Sequence, residues 1–365
     1  MVKDMVSIKK VISFAGAFIA FLIGSGFATG QEIMQYFSAY GFKGIAGGIV
    51  VFLLFLYVGV SFITTGYEHK FPNGSDIFEH YCGKKIGRFY DYFSIVFIYM
   101  SFFVMIAGAG ATLNQQYGLS TSIGGIVMAV LAAVTVVFGL GKIVDVIGKI
   151  GPVIVVMSIV LGFSAIFQNI EGLKKASEII PELNLMKAST NWLYAAGSYV
   201  GFCMLWLAAF MSSMGASANS KKEAALGAVF GAAAFSAAVI IISLGLIANI
   251  EKVAGSQIPS LVIASGIHPS VAVIYSLTVI AGIYTTAVPL LWTVSARIAD
   301  EKTTKFKVVT AVLAAIGAII GLKVPFDRLV NIVYVINGYV GIFLLAIMVI
   351  KTTKKIYAAK MKTMP

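Results

Sequence analysis

Residues 44–67 run for 24 positions without a charged side chain. A helix of that length rises about 36 Å, enough to cross the roughly 30 Å hydrocarbon core of a bilayer. Nine other stretches are also long and mostly apolar, so ten membrane spans are expected: 8–38, 43–66, 88–117, 121–140, 143–169, 190–216, 223–249, 269–297, 306–322 and 327–350. Their apolar residues are continuous rather than alternating, which argues for helices and against barrel strands. Hydrophobic residues make up 59% of the chain and charged residues 12%. A soluble fold of this size could not hide so much apolar side chain, because much of its surface must stay polar, so an ordinary soluble enzyme, a disordered chain and a secreted disulfide scaffold are excluded. The first apolar run is too long for a cleavable signal peptide. The reading is an all-α integral membrane protein, one domain over residues 1–365.

The formal charge of +12 is a topology signal. With ten spans both termini share a side, and 20 of the 27 Lys and Arg fall there. The other 7 are Lys43, Lys174, Lys175, Lys187, Lys252, Lys323 and Arg328. The positive-inside rule then makes the termini cytoplasmic, in a plasma membrane. No soluble basic domain exists to bind nucleic acid. The basic tail 351–365 is expected to meet anionic lipid headgroups. Cys82 in a loop and Cys203 in a span lie at different depths, which argues against a disulfide. His69, His80 and His268 fall in loops, and no Cys/His/Asp/Glu cluster has metal-ligand spacing.

The distal loop 170–189 divides the chain into five-span halves, 8–169 and 190–350. Five is odd, so the second half inserts upside down, as an inverted repeat requires. The first span of each half carries a glycine-rich interruption: Ile23-Gly24-Ser25-Gly26 in span one and Gly197-Ser198-Tyr199-Val200-Gly201 in span six. Two readings stand for each. The glycines break the helix and free backbone groups to bind a ligand, or they allow close helix packing. The matched positions favour broken helices.

The segment FLIGSGFATGQEIMQYF at 21–37 resembles the Gly-Ser-Gly break of the amino acid–polyamine–organocation superfamily, whose members have the LeuT-type fold. Its continuation GQEIMQ is similar to the bacterial YkvI-like putative amino acid permeases. Span eight, TVIAGIYTTAVPLLWTVSARIAD at 278–300, resembles the sodium-coupled branch. The resemblance implies a ten-helix, five-plus-five inverted repeat with helices one and six broken, and a bacterial cell-membrane transporter working by alternating access. It implies that Gly24, Ser25 and Gly26 bind a substrate carboxylate through their backbone. Tyr199, Gly201, Phe202 and Cys203 would form one wall, Tyr284 would crowd the site or provide a hydroxyl, and Phe103 would be a lid. It also implies a sodium site from the carbonyls of Ala20, Ile23 and Ala281 with the hydroxyls of Thr285 and Thr286. The competing reading is that both threonines bond back to their own helix. No cofactor is implied beyond Na⁺ as coupling ion. The partners implied are a small amino acid or amine and the membrane lipid.

Glu32 is a carboxylate deep in span one, and ionisable residues at such depth are functional candidates. Four roles compete: an outer gate with Arg328, a proton-coupling group, a contact to a substrate ammonium, or a vestibule carboxylate satisfied by Gln31, Asn114 or Gln115. Asn331 and Asn337 are expected to bond across helices. Asp91 and Asp145 are expected near Arg88, Lys142 and Lys149. Pro152 and Pro289 are expected to kink spans five and eight. The function expected is secondary transport of a small amino acid or amine, coupled to Na⁺ or else to H⁺ through Glu32. A channel or a non-transporting signalling or assembly protein on the same fold are the alternatives. Hydrolytic chemistry has no visible apparatus, so the chain is not expected to be an enzyme.

Overall fold

The computed structural model describes the backbone of residues 6–138 and 143–362, and side chains there except at 143–151, 358–360 and 362. Lys3 and Lys142, and the side chains of Asp145, Lys149, Lys360 and Lys362, lie outside the described residues. The described residues are helical almost throughout. Eight helices are long and apolar enough to cross a membrane: α4 (Phe42–His69), α5 (Asp76–Tyr117), α6 (Thr121–Phe138), α9 (Trp192–Ala216), α10 (Lys221–Ala248), α13 (Pro269–Ile298), α14 (Thr304–Gly321) and α15 (Phe326–Lys362). This is a multi-pass membrane protein. Its periphery carries exposed Leu53, Val96, Val130, Leu277, Val312 and Phe343, side chains that suit lipid contact.

The two remaining apolar stretches are bent or interrupted. Residues 8–38 divide into α1 (Ile8–Leu22), α2 (Ser25–Thr29) and α3 (Gln31–Tyr36). Over Pro152–Gln168, α7 (Ile143–Gln168) is apolar, then turns by 85° into α8 (Ile170–Ile179). Between α10 and α13 lie α11 (Ile250–Val253) and α12 (Pro259–Ile267). Pro152 and Pro289 lie inside α7 and α13.

Side-chain caps start several helices. Ser7 accepts from Lys10 N at α1, Asn191 from Leu193 N at α9, Ser220 from Glu223 N at α10, and Thr303 from Phe306 N at α14. Helix α5 starts just after the loop at 70–75 and is continuous except at Gly83, whose φ of 73° kinks the run.

Residues 22–39 are buried without exception, polar ones included. The cause is the packing around them. Helix α1 lies against α10 and α7, α2 against α5, α12 and α13, and α3 against α9, α10 and α15. The interrupted segment is therefore the axis of the bundle.

The expected break in span six is absent. Helix α9 runs from Trp192 to Ala216 without interruption. Its glycines serve packing instead. A Cβ on Gly201 would stand 2.2 Å from the carbonyl oxygen of Gly338, and one on Gly341 would stand 1.8 Å from that of Gly201. The same holds toward α4, where a Cβ on Gly215 would stand 2.0 Å from the Ile63 oxygen. Helix α9 is clasped backbone to backbone on two sides, which only glycine permits.

Candidate functional site

Helix α1 ends because Ile23 and Gly24 are extended, with ψ of 99° and −169°. Its last-turn carbonyls, at Ala20 among others, then lack intrahelical donors, and the amides of Ser25, Gly26 and Phe27 lack intrahelical acceptors. The first bond of α2 runs from Ala28 N to Gly24 O at 3.1 Å. Gly30, at φ 80°, separates α2 from α3 in a left-handed conformation suited to glycine. Tyr275 of α13 donates to Ala28 O at 2.7 Å and meets Ser158 of α7 at 3.1 Å, pinning α2 in place.

Beside this interruption lies a buried polar cluster. Glu32 is 2% exposed, and its side chain folds back over α2, its Oε1 2.0 Å from where a Gly26 Cβ would be. The carboxyl group faces the hydroxyl of Tyr199, Tyr36 faces Ser198, and Tyr334 faces Ser25. Among the described residues, the side-chain oxygens of Ser25, Tyr36, Ser198, Tyr199 and Tyr334 have no hydrogen-bond partner of ordinary geometry. Ser212, Ser236, Ser295 and Thr310 elsewhere in the bundle share this lack, so what sets the cluster apart is that its unpartnered hydroxyls gather around a buried carboxylate.

Aromatic rings wall the cluster. Tyr36 meets Tyr199 edge-on at 5.3 Å, Tyr199 meets Phe202 at 5.2 Å, and Phe202 stacks on Tyr334 at 4.7 Å. Trp206 meets Tyr334 at 5.8 Å and stacks on Phe97 at 5.1 Å. Helix α9 supplies Tyr199, Phe202, Cys203 and Trp206 from one face, since they are spaced by three and four.

The sequence-expected residues divide. Gly24, Ser25, Gly26, Tyr199, Phe202, Cys203 and Glu32 come together. Gly201 faces α15 as a packing residue. Phe103 packs edge-on against Tyr99 at 4.7 Å and neighbours Gly317 of α14, so it is no lid on this cluster. Phe97, a helical turn and a half earlier, takes that side. Tyr284 bonds Thr135 of α6 at 2.7 Å, away from the interruption. Tyr36, Tyr334, Trp206 and Phe97 were missed. Tyr36 follows Glu32 by four and Trp206 follows Phe202 by four, signals that helix periodicity offers. Tyr334 and Phe97 reach the cluster only through tertiary packing.

On span eight, the hydroxyls of Thr285 and Thr286 both donate to the carbonyl of Gly282, at 3.1 and 2.9 Å. Their oxygens keep lone pairs, so the back-bonding and a role as cation ligands are compatible. Gly282 abuts Ile154 of α7, the helix that also packs against α1.

The expected pairing of Glu32 with Arg328 is absent. Arg328 is exposed, and among the described residues Glu32 forms no ion pair. The first span is tied to span ten by neutral amides one turn further on. Gln35 donates to Asp327 O at 2.8 Å and accepts from Asn331 at 2.9 Å. Asn337 bonds within its own helix, to Val333 O, rather than across. Asn114 and Gln115 line a distal cavity of about 580 Å³ and bond Leu119 and Ile258, not Glu32. Asp91 pairs with Arg297 of α13, not with Arg88. At the terminal face, Glu223 holds the start of α1 by accepting from Ser7 N at 2.9 Å.

No family model matches the chain. The uncharacterized membrane protein YkvI of Bacillus subtilis (strain 168) is 24% identical over 329 residues, covering 90% of this chain and 92% of that one. The uncharacterized protein YyaD of the same organism is 35% identical over 99 residues, 27% of this chain and 28% of that one. Among solved structures, MhsT in complex with L-phenylalanine matches with a TM-score of 0.62 at 16% identity, over 95% of this chain and 89% of that one. The chain has the LeuT-type fold. Inward-facing Mhp1 shares this LeuT-type fold with a TM-score of 0.56 at 14% identity, over 93% of this chain and 75% of that one.

Proposed function

We propose that this chain is a secondary active transporter that carries a small amino acid or related amine by alternating access, with Na⁺ as coupling ion. The observation that carries the reading is the polar cluster at the interruption between α1 and α2. Irregular backbone at membrane depth is tolerated where it is buried in protein or lines a cavity, and here it sits beside a buried carboxylate and unpartnered hydroxyls on the axis of the bundle. The L-phenylalanine bound by MhsT, on the same fold, supports an amino acid or amine of that size. Residues 8–38 and 143–169 complete ten spans in two inverted halves. In support, the packing survives exchange of the halves: α1 against α10 answers α9 against α4, and α5 against α6 answers α13 against α14. The Lys and Arg bias supports cytoplasmic termini in a bacterial plasma membrane.

Sodium would be held by Thr285, Thr286 and Ala281 with the free carbonyls of Ala20 and Ile23. Thr285→Ala removes one hard oxygen, so sodium-driven uptake into proteoliposomes should fall at least about ten-fold, the equivalent of ~1.4 kcal/mol in ion affinity. Its melting temperature without sodium should change little, because the hydroxyl's bond to Gly282 is local. Unchanged uptake after removal of Na⁺ would sink the sodium site. One observation favours a second reading, coupling to H⁺: Glu32 is buried without a cationic partner among the described residues. Uptake driven by a proton gradient alone, and lost in Glu32→Gln, would decide for it.

A further inference from the structure

Glu32 and Glu223 are the only buried charged side chains among the described residues. Glu223 is satisfied by two backbone amides, from Ser7 and Asn219, each at 2.9 Å, and by the Asn219 side chain. Glu32 has no such set. A buried carboxylate without a counter-charge is costly, and a bound cation relieves that cost.

The position of the carboxylate narrows what that cation can be. Glu32 Oε1 and Cδ lie 2.0 and 2.5 Å from where a Cβ of Gly26 would stand. The chain's own carboxylate thus lies against the first turn of α2. A ligand carboxylate resting on the amides of Ser25 and Gly26 would meet a second negative charge within a few ångströms, an arrangement both groups resist. The remaining surroundings suit a positive group. Unpartnered oxygens of Ser25, Tyr199 and Tyr334 can each accept an N–H. The rings of Tyr36, Tyr199, Phe202 and Tyr334 pack on one another in the same cluster, and aromatic rings attract ammonium groups. No buried Lys or Arg competes among the described residues.

We propose that the cluster is a site for a carboxylate-free organic amine, whose ammonium group pairs with Glu32 inside the cage of Tyr36, Tyr199, Phe202 and Tyr334. This rests on the transporter reading and narrows its substrate class from amino acid or amine to amine.

The test uses the purified full-length protein and ligand pairs that differ only by a carboxylate: ethylamine with L-alanine, isopentylamine with L-leucine, and 2-phenylethylamine with L-phenylalanine. Binding is read as a rise in melting temperature with ligand concentration. At least one amine should bind, and its amino acid partner should bind at least about ten-fold more weakly. Glu32→Gln should weaken the amine by about 10- to 100-fold, the range for loss of a charged hydrogen-bond partner, and should narrow the gap within the pair. Equal or tighter binding of the amino acids overturns the proposal, as does failure of every amine to bind. Amine binding unchanged in Glu32→Gln overturns it too. The comparison within wild-type protein decides the matter even if Glu32→Gln does not fold. The two readings fail differently. An amine that binds through Glu32 but never accumulates in proteoliposomes under any ion gradient would overturn transport and leave the site. Accumulation of an amino acid, indifferent to Glu32→Gln, would overturn the site and leave transport.

Discussion

Replacing Gly201 with valine should abolish the folded protein or lower its stability by about 3 kcal/mol or more, the upper end for overpacking a well-filled contact. The added carbon would stand 2.2 Å from Gly338 O and 3.0 Å from both Gly338 C and Ile342 N. Those are backbone atoms, so no side-chain rotation relieves the overlap. Helices α9 and α15 must part along a seam where Gly338 and Gly341 press reciprocally on Ser198 and Gly201. Separation would also pull Tyr334 from Phe202. The measurement is melting temperature and monodispersity in detergent, with Gly16→Ala as control, since nothing lies within 4 Å of a Cβ there. A Gly201→Val protein that melts like wild type would show that the two helices do not pack this closely.

Gly26→Ala should do the opposite: spare the fold and remove ligand binding. Alanine suits a helix better than glycine. The clash it creates is with the far end of a flexible side chain, since Glu32 Oε1, Cγ and Cδ all stand within 2.5 Å of the new carbon. The carboxylate must swing away, which costs stability little, about 1 kcal/mol, but takes the charge from beside Tyr199. Ligand affinity should fall by at least about ten-fold, or ~1.4 kcal/mol. Adding Glu32→Asp, one methylene shorter, should recover part of it by withdrawing the carboxylate from the alanine. Titrations of the single and double variants by thermal shift, read beside uptake, check both halves. Wild-type affinity in Gly26→Ala would mean that the position of Glu32 is immaterial.

Much of the site was legible in span one. Gly24, Ser25 and Gly26 announce an interruption because two glycines in an apolar helix weaken it twice. Glu32 stands out because charge is so rare there. The two glycines of span six misled for a physical reason: a glycine that unwinds a helix and one that admits a neighbour's backbone look alike in sequence, and only the neighbour distinguishes them. Here Gly338 and Gly341 are that neighbour. Phe103 and Tyr284 failed similarly, since a span shows its apolarity all round and conceals which side meets protein. Arg328 was reasonable as a partner for Glu32 by depth. The link between those segments formed through Gln35 and Asn331 instead, amides that can be buried without a counter-charge.

Sequence by itself determined the solvent, the helical class and the place where the first span stops, because these depend on local apolar content and backbone freedom. Tertiary structure decided what surrounds that stop. Tyr36, Tyr199, Phe202, Trp206 and Tyr334 come from three segments up to 298 positions apart in the chain, and they meet because glycine seams draw α9 against α15 and the bundle closes around α2 and α3. No local pattern encodes that convergence. It arises from which helix surfaces can approach closely enough to exclude lipid, and it turns one isolated carboxylate into a site.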